Sequence, residues 1–191
     1  LGGNVRILRI KPEAVPFLAG INEGWLQQLE RLDSHILATR EMRSAVHATF
    51  VINHDFKAPV PIVYSAFSDP EAKRKWFVGP AEWISGGHAM DFRVGGRETE
   101  SGGPPDGPTH YMDGEYHDIV PEQRIVYTYS MRLDDWRISV SLATIEFRRN
   151  GSGTTLVLTE QGVYLDGFDD AGGREHGTRE LLNQLEKSLS S

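Results

Sequence analysis

The chain has 191 residues, 39% of them hydrophobic and 25% charged, and its 20 Lys and Arg against 27 Asp and Glu give a net charge of −7. That length suits one buried domain plus an appendage; the charge, with no basic patch to offset it, argues against a nucleic-acid partner, and no run approaches the roughly 18 apolar residues of a membrane span. The absence of cysteine excludes a disulfide framework, a thiol nucleophile and cysteine-ligated metal, and makes a reducing cytoplasm the expected compartment.

The chain opens Leu-Gly-Gly with neither a Met nor a signal-peptide pattern, so its start is expected to be a processed or truncated end. Val5 to Ile10 reads as a short strand, Lys11 to Gly20 as a Pro-interrupted loop, and Gly24 to Thr39 as a helix with Trp25, Leu29, Leu32 and Ile36 on one face. Ala48 to Phe56 alternates as a strand and breaks at Lys57-Ala58-Pro59 before a helix carrying Ile62, Val63, Ala66 and Phe67. Asp69 and Pro70 supply the N-cap and first position of a second short helix that runs into Trp76-Phe77. Trp83 to Val94 reads as one or two strands, Gly95-Gly96 as a turn, and Ser101 to Pro108 as a mobile loop.

The stretch His110 to Met131 forms two alternating runs joined at Pro121-Glu122. His110, Met112, Gly114, Tyr116 and Val120 share one face, and Ile125, Tyr127, Tyr129 and Met131 one side of the return strand. A face of rings, sulfur and one imidazole suits a lined cavity better than a close-packed aliphatic core, because buried hydroxyls need partners. Trp136 to Arg148 follows as a strand with Trp136, Ile138, Val140 and Leu142 on one face and Ile145 and Phe147 out of phase, which predicts a bulge near Ala143-Thr144. Asn150-Gly151 is a hairpin turn, Thr154 to Gln161 the last strand, Gly162 to Gly173 a loop, and the closing helix carries Thr178, Leu181, Leu182, Leu185 and Leu189 on one stripe. Helices segregated to one side of an antiparallel sheet make an α+β domain.

Ala58-Pro59, Val63 to Glu71, Lys75-Trp76-Phe77, Asp91 to Arg97, Gly114-Glu115-Tyr116 and Ile119 to Thr128 together resemble homologues of the C-terminal domain of the heat-shock protein 90 ATPase activator, within the START-like (SRPBCC, Bet v 1-like) superfamily. The resemblance covers Ala45 to Ser191. It implies a helix-grip fold, a curved antiparallel sheet wrapped around a long C-terminal helix with a cavity between them. It carries over no catalytic apparatus, because the family is similar to small-molecule binders, polyketide cyclases and chaperone-associated domains alike. Such domains often have a Trp near the start of the closing helix; this chain has Gly177-Thr178 there, which implies a roomier or wetter end of the pocket.

Two domains are expected: an appendage, 1–44, and a helix-grip domain, 45–191. Gly24-Trp25, Leu29, Leu32 and Ile36 superpose in spacing on Gly177-Thr178, Leu182, Leu185 and Leu189, as if the appendage were the end of a preceding copy; a chance match of two amphipathic helices is the alternative. A lone helix of that length is marginal in water, so its stripe is expected to bury on its own domain or, as favoured here, on a neighbouring copy in a homodimer.

The expected cavity liners are Trp76, Met90, Phe92, His110, Met112 and Tyr116, then Tyr127, Tyr129, Met131 and Trp136, with Leu181 and Leu185 as the lid. Asp113, Glu115 and His117 share a strand face in a spacing that suits a metal, but that face reads as solvent-facing, so no metal or other cofactor is expected. His110 could serve as a general acid or base with the tyrosines; a hydrogen-bonded structural histidine is the simpler reading, and no catalytic residue is assigned. Three functions stay open: a binder of a small apolar or amphipathic molecule, a cyclase- or dehydratase-type enzyme using His110, and a chaperone-associated interaction module.

Overall fold

The computed structural model describes residues 43–190, and the strand, loop and helix expected before Arg43 lie outside the described residues. Strand β1 (Ala45–Phe56) leads into helices α1 (Val60–Ser68) and α2 (Pro70–Lys73). Strands β2 (Ile84–Met90), β3 (Arg97–Gly103), β4 (His110–Val120), β5 (Arg124–Leu133), β6 (Trp136–Asn150) and β7 (Gly153–Leu165) follow, and α3 (Ala171–Leu189) closes the domain. The seven strands form one antiparallel sheet in the order β1-β7-β6-β5-β4-β3-β2. This is the α+β helix-grip architecture. Among the described residues, no helix is long and apolar enough to cross a membrane.

Local chemistry explains most boundaries. The Asp69 carboxylate accepts from the Glu71 N–H at 2.9 Å and starts α2, although that helix stops at Lys73 instead of continuing to Trp76-Phe77. At α3 the Asp170 carboxylate accepts from the Gly173 N–H at 2.8 Å. Gly151 sits at φ 60° in the β6–β7 turn, as the Asn-Gly pair requires. Gly96 is obligatory for a different reason: a Cβ there would lie 2.0 Å from the Asp91 carbonyl oxygen.

The registers arrange the inward residues in rows that cross the sheet. Farthest from the α1 end runs His88, Glu100, Met112, Met131, Ser139, Tyr164. Next comes Met90, Glu98, Gly114, Tyr129, Ser141, Gly162, Ala48. The third row is Tyr116, Tyr127, Ala143, Glu160, Phe50, and the fourth is Ile119, Ile125, Ile145, Leu158, Ile52. Chemistry changes sharply along this axis. The fourth row is aliphatic and packs with Val63, Phe67, Leu182 and Leu185 into the core, each fully buried side chain contributing roughly 1.5–3 kcal/mol. The first three rows mix rings, sulfur, carboxylates and small residues.

Three expectations are corrected by the registers. The bulge on β6 falls at Ile138, which has no partner on β5, and pairing through Ala143 and Thr144 is regular. Ser139, Ser141 and Ala143 therefore face inward while Val140 and Leu142 face out, 38% and 37% exposed; small residues are needed opposite the rings of Tyr129 and Tyr127. On β4 a register shift between Tyr116 and Asp118 takes up His117, so Ile119 replaces Val120 on the core side. The loop after β3 is also shorter than expected, because β3 continues to Gly103.

Candidate functional site

The upper three rows carry two buried ionic networks. In the first, Glu98 is held by Lys73 Nζ at 2.6 Å, by His88 Nε2 at 2.9 Å and by the Tyr116 hydroxyl. Burial alone would raise the Glu98 pKa, but the charge of Lys73 and the hydrogen bonds from His88, Lys73 and Tyr116 outweigh it and hold the carboxyl at about 2. Glu98 is therefore ionised, and His88 must donate its Nε2 proton to it. Burial and the Glu98 charge push the Tyr116 hydroxyl far above its ordinary range, so it stays a donor.

The second network ties α3 to the sheet. Tyr129 and Ser141 donate to Glu160 Oε1 at 2.7 and 2.8 Å. Arg174, from the second turn of α3, donates to the Tyr129 hydroxyl at 2.9 Å and the Ser139 hydroxyl at 2.8 Å, pairs with Asp169, and sits 3.8 Å from Glu160. Burial opposes its charge, yet Tyr129, Asp169 and Glu160 raise its pKa, so it remains a guanidinium. The Tyr164 ring covers Gly162, where a Cβ would lie 3.1 Å from the Tyr164 hydroxyl oxygen. That hydroxyl is buried without a partner, and burial pushes its pKa up to about 12.

The expected liners separate into four groups. Met112, Tyr116, Tyr127, Tyr129 and Met131 share the inward rows, with Met90 beside Glu98 and Phe92 against Tyr116 at 5.0 Å. His110 lies at the far end of β4, half-buried and stacked on Trp83 at 4.5 Å; burial lowers its pKa, so it is neutral at pH 7. Trp76 and Leu185 belong to the close-packed core, Trp76 donating from its indole to the Ala66 carbonyl at 2.9 Å, while Leu181 is half-buried beside that core. Trp136 is a correction: it is 64% exposed and lies against Phe168 at 6.2 Å, because it is the first residue of β6, at the end of the sheet. Asp113 and His117 lie on the opposite face, engaged with Arg97 at 2.5 Å and Thr128 at 2.6 Å.

Lys73, His88, Glu98, Glu100, Ser139, Ser141, Glu160, Tyr164 and Arg174 are the functional candidates that sequence reasoning missed. One signal was present: Leu156, Leu158 and Glu160 share a strand face, so a charge stands where the apolar alternation should continue.

Glu100 differs from the other carboxylates. Its Oε2 is buried without a partner, and burial pushes its pKa up to about 7. A folded-state value above the unfolded one means that stability falls as pH rises from about 4.5 to 7 and the penalty is complete above 7. Glu100→Gln should therefore melt a few degrees above the wild type at pH 8 and alongside it at pH 4, since partial exposure limits the gain. Calorimetry at the two pH values checks this; equal melting at pH 8 would refute it.

A family model described as Activator of Hsp90 ATPase homolog 1-like protein matches residues 57–190. Among solved structures, a protein from Rhizobium leguminosarum is 47% identical, with a TM-score of 0.74 over 78% of this chain and 97% of that one. A protein from Rhizobium loti is 40% identical, with a TM-score of 0.70 over 76% and 99%. An AHSA1-like protein from Aeromonas hydrophila is 18% identical with a TM-score of 0.57 over 75% and 92%, a likeness of fold alone. No curated protein matches the chain.

Proposed function

The chain belongs to the Activator of Hsp90 ATPase homolog 1-like family, and from that premise we propose that it binds a small amphipathic molecule in the upper half of the grip. One observation carries the reading. Strand β5 is the fourth of seven strands, where inward residues should be fully covered, yet beyond Ile125, which is 1% exposed, Tyr127, Tyr129 and Met131 are all only half-buried. A central strand that keeps accessible surface on its inward side borders a space that α3 does not fill. The aliphatic fourth row makes the floor of that space, and the tyrosines, Met112 and Met131 make its walls. The absence of cysteine supports placing this activity in a reducing cytoplasm.

N-phenyl-1-naphthylamine, a neutral apolar fluorophore, should bind with a blue shift and enhanced emission. Met131→Trp should fill the space, weakening that binding at least tenfold while costing less than about 1 kcal/mol of stability, whereas an already packed site would lose about 1–3 kcal/mol through overpacking. Fluorescence titration and urea denaturation of both proteins read the two quantities. No enhancement in the wild type, or a variant that loses stability and no affinity, would overturn the proposal.

A further inference from the structure

The β2–β3 edge of the first row has acceptors without donors. His88 and Glu100 are register partners on neighbouring strands, a relation that sets Cβ atoms about 4.5–5.5 Å apart on one face. The His88 side chain is 6% exposed, and in the neutral imidazole that donates its Nε2 proton to Glu98 the Nδ1 carries a lone pair; that atom is buried and has no partner. Glu100 Oε2 is buried and unpartnered beside it. Such groups cost free energy until a donor arrives.

The charge balance selects the donor. Lys73 is committed to Glu98, and Arg174 to Asp169 and Glu160. Glu100 makes no direct ion pair among the described residues, and burial raises its pKa although the charges of His88 and Lys73 partly oppose the shift. Resting on the reading of the upper grip as a ligand site, we propose that the His88–Glu100 pair is a subsite for the ammonium group of an amphipathic amine. An ammonium supplies up to three hydrogen-bond donors and the missing positive charge together. A hydroxyl supplies a donor without the charge, and a carboxylate or phosphate would be repelled by Glu100. Met112, next to Glu100 in the row, and Met131 beyond it offer the apolar body of the amine a polarisable bed.

The probes are 1-naphthylmethylamine and its neutral counterpart 1-ethylnaphthalene, titrated at pH 8 by isothermal calorimetry. Glu100→Gln and Glu100→Met are compared with the wild type, the second variant covering the case in which the first misfolds. Both variants are expected to weaken the amine at least tenfold and to leave 1-ethylnaphthalene unchanged. Equal weakening of the two probes, or an amine affinity untouched in both variants, overturns the subsite while the hollow stands. Binding of neither probe to the wild type overturns the subsite and the ligand-site reading together.

Discussion

Lys73→Met should lower the free energy of unfolding by about 3–5 kcal/mol at pH 7, because it leaves an ionised carboxylate buried without its cation. The Lys73 and Glu98 side chains are 9% and 4% exposed, so water cannot take over the charge. The pH dependence has a definite sign. Glu98 is held at about 2 in the folded state against 4.5 unfolded, so its stabilising contribution is complete above about 4.5 and is lost as pH falls toward 2. The deficit of the variant should therefore shrink between pH 7 and pH 3. Adding Glu98→Leu should restore much of the loss, since a pair replaced by apolar groups leaves no orphan charge. Urea denaturation of the single and double variants at both pH values gives the answer; a single-variant loss below about 1 kcal/mol would show that the pair is not needed.

Arg174→Met should have a comparable effect, about 3–5 kcal/mol, but by a different route. Helix α3 begins Ala171-Gly172-Gly173-Arg174-Glu175-His176-Gly177, and each glycine weakens a helix interior by about 1 kcal/mol relative to alanine. The first two turns thus have poor intrinsic stability, and Arg174 fastens them to Tyr129, Ser139 and Asp169. Its loss also leaves Glu160, 3% exposed, with only hydroxyl partners. Far-UV circular dichroism should show less helix before global unfolding, and amide exchange should accelerate at 172–178 while the amides of Leu182 and Leu185 stay protected. Uniform exchange along α3 would refute the fastening role.

The parts of this structure that were legible in the sequence are those that depend on neighbours along the chain. The Asp69-Pro70 start of α2, the Asn150-Gly151 hairpin, the alternation of His110 to Tyr116 and the leucine stripe of α3 are all local signals. What failed depended on counting across an interruption. A bulge adds one residue and exchanges the faces beyond it, so placing it at Ala143 instead of Ile138 turned Val140 and Leu142 inward and hid Ser139 and Ser141. The ionic networks were illegible for another reason: Lys73 and Glu98 are 25 positions apart and Tyr129 and Glu160 are 31 apart, and no spacing rule joins them. Each charge taken alone carries no signal of burial along the chain; the fold makes it a buried partner.

The rows also divide labour in a way that bears on how such a protein can diversify. Cooperative unfolding rests on the fourth row, where Ile52, Ile125, Ile145 and Leu158 are at most 4% exposed, so substitutions there are purged for instability before any effect on binding is tested. Met112 and Met131 lie three rows away and take no part in that layer. A lineage can exchange them one at a time and pass through intermediates that all still fold. Molecular memory of the fold and freedom to change what it holds thus occupy opposite ends of the same strands.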